Sequence, residues 1–156
     1  MHTNIVLKPV AYVRNSRKEI IDDDWQNIIS EIELVDEFPI ESFDGIDTFS
    51  HLNIIFFFHK STKTISAHEH PRGNTQWPKV GIFAQRKKNR PNHLGLTTVN
   101  LIRIEGRRLI VSNLDAINGT PVLDIKPVLK EFLPKGEITQ PQWASKIMEK
   151  YWSSGS

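Results

Sequence analysis

The sequence predicts a mainly β protein, a small β-barrel or rolled mixed sheet with one C-terminal helix, and three observations carry that prediction. Short runs rich in β-branched and aromatic residues recur between turn signals, as they do in closed or rolled all-β domains. Helical periodicity with clear end signals appears in one stretch, residues 139–152. Finally, 156 residues and 18.0 kDa suffice for one hydrophobic core and are short for two.

The elements follow in order. "NIVLKPVAYV" (4–13) reads as a first strand, with Pro9 marking an edge or a bulge. From Asp22 the chain offers acidic cap candidates and then Trp25, Ile28, Ile29 and Ile32, which predicts a turn or short helix feeding a strand that ends at Val35. "SFDGIDTFSHLNIIFFFHK" (42–60) starts as a turn and becomes a continuous apolar strand, of the kind buried on both faces at the centre of a sheet. Residues 61–79 carry Gly, two Pro and many polar side chains and predict a long surface loop. "VGIFAQ" (80–85) returns as a strand. "TTVNLIRIEGRRLIVSNL" (97–114) is the clearest hairpin, with Gly106 suited to positive φ in its turn. "PVLDIKPV" (121–128) is a short strand bracketed by Pro121 and Pro127. In "TQPQWASKIMEKYW" (139–152), Pro141 stands in a first turn and Trp143, Ile147, Met148 and Tyr151 share one face of an amphipathic helix. The domain is expected over 1–152, with 153–156 a disordered end or a cloning remnant.

Composition excludes several classes. With no cysteine there is no disulfide, no thiolate nucleophile and no Cys-based metal site. The opening residues lack the basic-then-apolar pattern of a secretory signal, and the longest apolar run, "IIFFF" at 54–58, is far short of a membrane span, so a cytoplasmic protein without membrane contact is expected. A glycine-rich strand-to-helix turn is absent, which removes both a phosphate loop and the dinucleotide fold. His68 and His70 stand too far from other ligand types to make a metal site, and none is expected. A net charge of +2 is too mild to argue a nucleic-acid partner by itself, although Arg86, Lys87, Lys88 and Arg90 crowd together while acidic residues gather between 19 and 47.

Two stretches carry chemistry. In "GIFAQRKKNRPNHLGL" (81–96), Pro91 and Gly95 predict a defined turn that presents Arg86 and Arg90 in a set geometry, suited to a carboxylate or phosphate, while Asn92 can donate and accept toward a heterocycle. The same residues read equally as a turn cap and ordinary ion pairs. In "LDAINGTPVLDIKP" (114–127), strand alternation sends Asp124 and Lys126 to one face, as part of a cleft or as a solvent-facing ion pair.

Together with "FSHLNIIFFFHK" (49–60) and "PVAYVRN" (9–15), these blocks resemble the TsaA-like, or TrmO-type, family, from about residue 8 to residue 128. The resemblance implies a small β-barrel methyltransferase of the TsaA-like type, using S-adenosyl-L-methionine without a dinucleotide fold and working as a homodimer. The best-known members methylate N6 of threonylcarbamoyl-adenosine at position 37 of tRNA. By matching position, the resemblance assigns the cofactor to His59, Lys60, Arg86, Leu96, Ser112, Asn113, Leu114 and Asp115, with Leu96 and Leu114 framing an adenine slot. Arg90, Asn92, Lys87, Lys88 and Trp25 are the substrate candidates, and Asp115, Asp124 and His59 are the candidates for a catalytic base, none preferred.

The chain departs from the family where "EIIDDDWQNII" (19–29) replaces a Pro-Arg-Gln-Pro element, and the acidic Asp22–Asp24 run opposes a phosphate backbone. The longer members' further C-terminal domain has no counterpart in these residues. The acceptor therefore stays open between tRNA and a small amine or amide, and a non-catalytic barrel binding RNA or a nucleoside is the other class.

Overall fold

The computed structural model describes residues 3–63 and 66–152; the expected terminal remnant at 153–156 lies outside them. Six strands close into an antiparallel barrel: β1 (Ala11–Arg14), β2 (Ile29–Leu34), β3 (His51–Phe57), β6 (Leu94–Glu105), β7 (Arg108–Ser112) and β8 (Pro121–Pro127). Around the barrel the order is β1-β2-β7-β6-β3-β8, and β4 (His68–Glu69) with β5 (Val80–Gly81) forms a separate two-stranded ribbon. Alternation produces the core: Ala11 and Val13, Ile32 and Leu34, Leu52, Ile54 and Phe56, Val99, Leu109 and Val111, and Val122 all point inward and are buried.

Closure explains why several elements differ from their expected form. β3 is flanked on both sides, by β6 and β8, as a central strand should be. It is nevertheless buried on one face only, because a barrel has one interior and its outer wall leaves Phe57 exposed. β1 starts at Ala11 rather than Asn4; Ile5, Val6 and Leu7 are exposed and outside any strand, and the first rung to β8 is the Val10 amide donating to the Val122 carbonyl at 2.8 Å. No helix forms between Asp22 and Ile28, where the chain turns and enters β2 directly. "VGIFAQ" pairs over two residues only, after which Ile82–Ala84 winds into a 3-10 turn. The buried Gln85 then replaces strand pairing, its amide donating to the Glu69 and Val80 carbonyls at 3.1 Å each.

The 97–114 hairpin forms as expected, with Gly106 at φ 59° in its turn. Gly95 is a correction. It lies within β6 at negative φ, opposite Phe56, and does not help Pro91 make a turn. β8 contains a bulge at Leu123, since Ile55 faces Asp124 and Phe56 faces Val122. The bulge lets Val122 and Ile125 both pack on the core although they are three apart. The terminal helix α1 (Gln142–Ile147) continues into a 3-10 turn at Met148–Lys150. Pro141 is its cap rather than a first-turn residue, and no residue of the helix is buried. Among the described residues, no helix is long and apolar enough to cross a membrane.

Candidate functional site

Antiparallel closure sends the connections 15–28, 58–93 and 113–120 out of one end of the barrel, and 35–50 with the Gly106 turn out of the other. All described non-glycine residues with positive φ lie at the first end: Asp24 (68°), Arg72 (51°), Asn92 (63°), His93 (49°) and Asn113 (64°). Such conformations persist only where surrounding contacts impose them, and they concentrate at functional sites. A hollow of about 280 Å³ opens at the opposite end, between the 40–47 loop and Gly106, away from these residues.

The strained end contains a gap in the barrel wall. β6 is twelve residues long, but β7 ends at Ser112 opposite Asn100, so residues 94–99 have β3 on one side and no strand on the other. The chain after β7 runs along this gap. Asn113 donates its side-chain amide to Asn100 Oδ1 at 3.1 Å, and two residues later Asp115 Oδ1 accepts from the Thr97 hydroxyl. Arg86 donates to the Leu96 carbonyl at 2.6 Å. Tyr151, from the C-terminal turn, donates its hydroxyl to Asp115 Oδ2. Burial first, and then the Asp115 carboxylate, push the Tyr151 phenol above its ordinary value, with Arg86 acting in the opposite sense. Arg86, Leu96, Thr97, Asp115 and Tyr151 thus share one cleft edge.

The other cofactor candidates distribute around that edge. Ser112 and Asn113 form its floor, where β7 ends. Leu114 is a correction: it is fully buried in the barrel core, so its side chain frames no open slot, whereas Leu96 remains half exposed on the outer wall. Lys60 reaches the Lys18 carbonyl at 3.2 Å. His59 lies against the 113–120 loop, its Nε2 3.7 Å from where a Cβ on Gly119 would stand.

Burial first, and the Lys60 charge second, hold the His59 imidazole below its ordinary 6.5. Its stabilising contribution is therefore complete above pH 6.5 and is lost as pH falls through the folded-state midpoint, because the unfolded chain takes up the proton first. An NMR titration is expected to place the His59 midpoint below 6.5, and His59→Gln should flatten the acid limb of the stability curve. A midpoint at or above 6.5 overturns this account of its environment.

The substrate candidates are less free than their sequence implies. Arg90 donates to the Gln85 carbonyl at 2.6 Å and the Lys87 carbonyl at 3.4 Å, which shapes its own loop. Lys87 pairs with Glu69 and holds that carboxyl below its usual range through their hydrogen bond. His93 Nδ1 bonds the Lys88 carbonyl at 3.1 Å, and Asn92 follows Pro91 in a left-handed bend that puts the loop in one shape. Trp25 is a correction: it is 4% exposed, the Arg17 guanidinium lies 4.4 Å over its ring, and its indole N–H donates to the Asp22 carbonyl at 3.1 Å. No free face remains for stacking on that side. Asp124 pairs with Lys126 at 3.1 Å on β8, the solvent-facing alternative read from strand alternation.

Residues that sequence reasoning passed over complete the site. Arg17 donates to the carbonyls of Ile21 and Asp24 at 3.3 and 3.0 Å, and also to that of Asp23. Arg72 pairs with Asp23 at 3.1 Å and approaches Asp22 at 4.0 Å, so the acidic run is partly neutralised and clamped to the 71–73 turn. Thr97 looked like any β-branched strand residue and Tyr151 like part of a helix face; neither carried a local signal of its contact with Asp115.

The model of the family described as tRNA-methyltransferase O N-terminal domain matches residues 21–132. The tRNA (adenine(37)-N6)-methyltransferase of Homo sapiens is 38% identical over 108 residues, 66% of this chain and 23% of that protein. A probable S-adenosyl-L-methionine-binding protein of Methanothermobacter thermautotrophicus is 34% identical over 131 residues, 81% of this chain and 92% of that one. The crystal structure of TrmO from Pseudomonas aeruginosa superposes with a TM-score of 0.74 at 28% identity, covering 92% of this chain and 63% of that one. The chain spans about a quarter of the length of the mammalian relatives it matches, 23% in the human case. A match over residues 21–132, which contain five of the six barrel strands and both motif blocks, places this chain in the family of the tRNA-methyltransferase O N-terminal domain.

Proposed function

We propose that this protein is an S-adenosyl-L-methionine-dependent N-methyltransferase acting on N6 of adenosine 37 in tRNA, with threonylcarbamoyl-adenosine as the form of the base it accepts. The observation that carries the reading is the gathering of Arg86, Leu96, Thr97 and Asp115 along the unpaired edge of β6. Relatives named as tRNA (adenine(37)-N6)-methyltransferases and as S-adenosyl-L-methionine-binding proteins support it.

The donor set fits the cofactor. Arg86 is exposed and keeps guanidinium N–H groups beyond the one it gives to Leu96, enough to receive an α-carboxylate. Asp115 has accepted one hydroxyl on each oxygen and retains a lone pair on each for ribose hydroxyls or a cation. Leu96 presents an apolar surface for a heterocycle. When bound, the cofactor supplies an electrophilic methyl group. The chain's own residues must hold the acceptor nitrogen in line and remove its proton, for which His59, whose burial and Lys60 neighbour favour the neutral imidazole, and Asp115 are the candidates. Clamping of Asp22 and Asp23 by Arg72 reduces the acidic obstacle to an RNA backbone, which favours tRNA over a small amine. A cytoplasmic setting belongs to the same reading.

The test supplies methyl-labelled cofactor to tRNA bearing threonylcarbamoyl-adenosine, to tRNA with unmodified adenosine 37, and to a tRNA-free metabolite extract. Label is expected in the first alone. Label confined to the metabolite fraction overturns the tRNA acceptor, and label in both tRNAs overturns the modified base.

A homodimer is part of the proposal. The chain alone exposes 10641 Å², whereas a compact 18.0 kDa monomer is expected to expose about 8,000 Å². Ile5, Val6 and Leu7 on the N-terminal arm and Phe132, Leu133 and Ile138 after β8 are large apolar side chains left exposed. The difference exceeds the ~800 Å² per partner that a stable interface buries. Light scattering is expected to give twice the chain mass, and a monomer at micromolar concentration contradicts the expectation.

A further inference from the structure

We propose that Tyr151 is a positioning residue for Asp115, and that the C-terminal turn carrying it forms one wall of the candidate cofactor site. The inference rests on the cofactor reading above, and its geometry stands on the structure alone. The segment from α1 to Trp152 is docked at its far end. No residue of α1 is buried, yet the Asp24 amide donates to the Lys150 carbonyl at 3.1 Å and the Trp25 amide to the Tyr151 carbonyl at 2.9 Å. Those two backbone bonds set the position of Tyr151 over the β6 gap. The Trp152 ring meets the Tyr151 ring edge-on, with centroids 5.1 Å apart, and restricts its rotation.

The consequence falls on one carboxylate. Asp115 Oδ1 takes the Thr97 hydroxyl and Oδ2 the Tyr151 hydroxyl, so a donor grips each oxygen and the plane of the group is set. A carboxylate held this way aims its remaining lone pairs before any ligand arrives, and the ordering cost of binding is correspondingly smaller. Thr97 comes from the barrel, and its hydroxyl position follows from strand register. Tyr151 comes 36 residues after Asp115, and the two backbone bonds to Asp24 and Trp25 hold its hydroxyl against that carboxylate. The charged groups acting on the phenol are Asp115, Arg86 and Asp22.

The experiment has two arms. Calorimetry with S-adenosylhomocysteine compares the wild type with Tyr151→Phe, Asp115→Asn and the double variant. Tyr151→Phe is expected to weaken binding about tenfold in the wild-type background and less than about twofold in the Asp115→Asn background. Equal affinity in Tyr151→Phe and wild type overturns the proposal, as does tighter binding, which would make the phenol an obstruction. An undiminished loss in the Asp115→Asn background overturns it too, since the effect would then be general to the fold.

The second arm needs no ligand. In a Tyr12→Phe background Tyr151 is the sole remaining tyrosine, and its ionisation is read by ultraviolet absorbance. It is expected above the ordinary value of about 10, and to fall toward it in Asp115→Asn. An ionisation that Asp115→Asn leaves unchanged overturns the contact itself. Absence of wild-type binding together with the expected absorbance shift overturns the cofactor reading, and the wall with it, while retaining Tyr151 as the partner of Asp115.

Discussion

Arg86→Ala is expected to weaken S-adenosylhomocysteine binding by about 1.5–3 kcal/mol, roughly ten- to a hundredfold in Kd, through loss of a charge-assisted hydrogen bond. Calorimetry on the folded protein measures it. Arg86 is exposed and spends one N–H on the Leu96 carbonyl, so the substitution removes no packed volume, and the melting temperature should change little beside the change in affinity. Arg86→Lys separates charge from geometry. An ammonium retains the charge without the planar fork, and it should restore only part of the affinity. If Arg86→Ala binds as tightly as wild type and melts earlier, the guanidinium is a brace for β6 and the carboxylate assignment is lost.

Gly95→Ala is expected to destabilise the barrel by about 2–3 kcal/mol, lowering Tm by roughly 5–10 °C for a chain of this size. A Cβ at Gly95 would fall 2.4 and 2.5 Å from two atoms of the Phe56 ring. Phe56 cannot step aside, because it is 1% exposed and meets Phe58 edge-on with centroids 5.3 Å apart. The ring covers a glycine on the neighbouring strand, an arrangement that offsets the glycine's lack of a packing side chain. Thermal unfolding checks the single variant, and Gly95→Ala combined with Phe56→Leu should recover part of the loss by reopening the space. An unchanged Tm for Gly95→Ala would show that the strands can part enough to admit a methyl group. Since Leu96 and Thr97 follow directly, the same variant should also weaken cofactor binding.

These two cases mark how far sequence reaches. By itself the sequence determined the class of fold, the hairpin around Gly106, the strand between Pro121 and Pro127, and the two motif blocks. Each of these depends on alternation or turn chemistry among residues a few positions apart, and such patterns survive whatever the rest of the chain does. Arg86, Leu96 and Asp115 sit inside those blocks, and the barrel brings them to one cleft edge. Leu114, in the same block, was misplaced because a strand end gives no local indication of which side chain turns into a barrel.

Only the tertiary structure decided that β7 stops opposite Asn100 and leaves a gap in the wall, that Asp115 meets Thr97 across that gap, and that Tyr151 closes on it from the C-terminal turn. It also decided that Arg72 reaches back 49 residues to Asp23, and that Arg17 covers Trp25. These contacts join segments whose proximity comes from barrel closure and strand register. Hydrophobic periodicity records which face of an element is buried, but contains no term for which distant side chain will complete a hydrogen bond there, because that partner is chosen only once the whole sheet has closed.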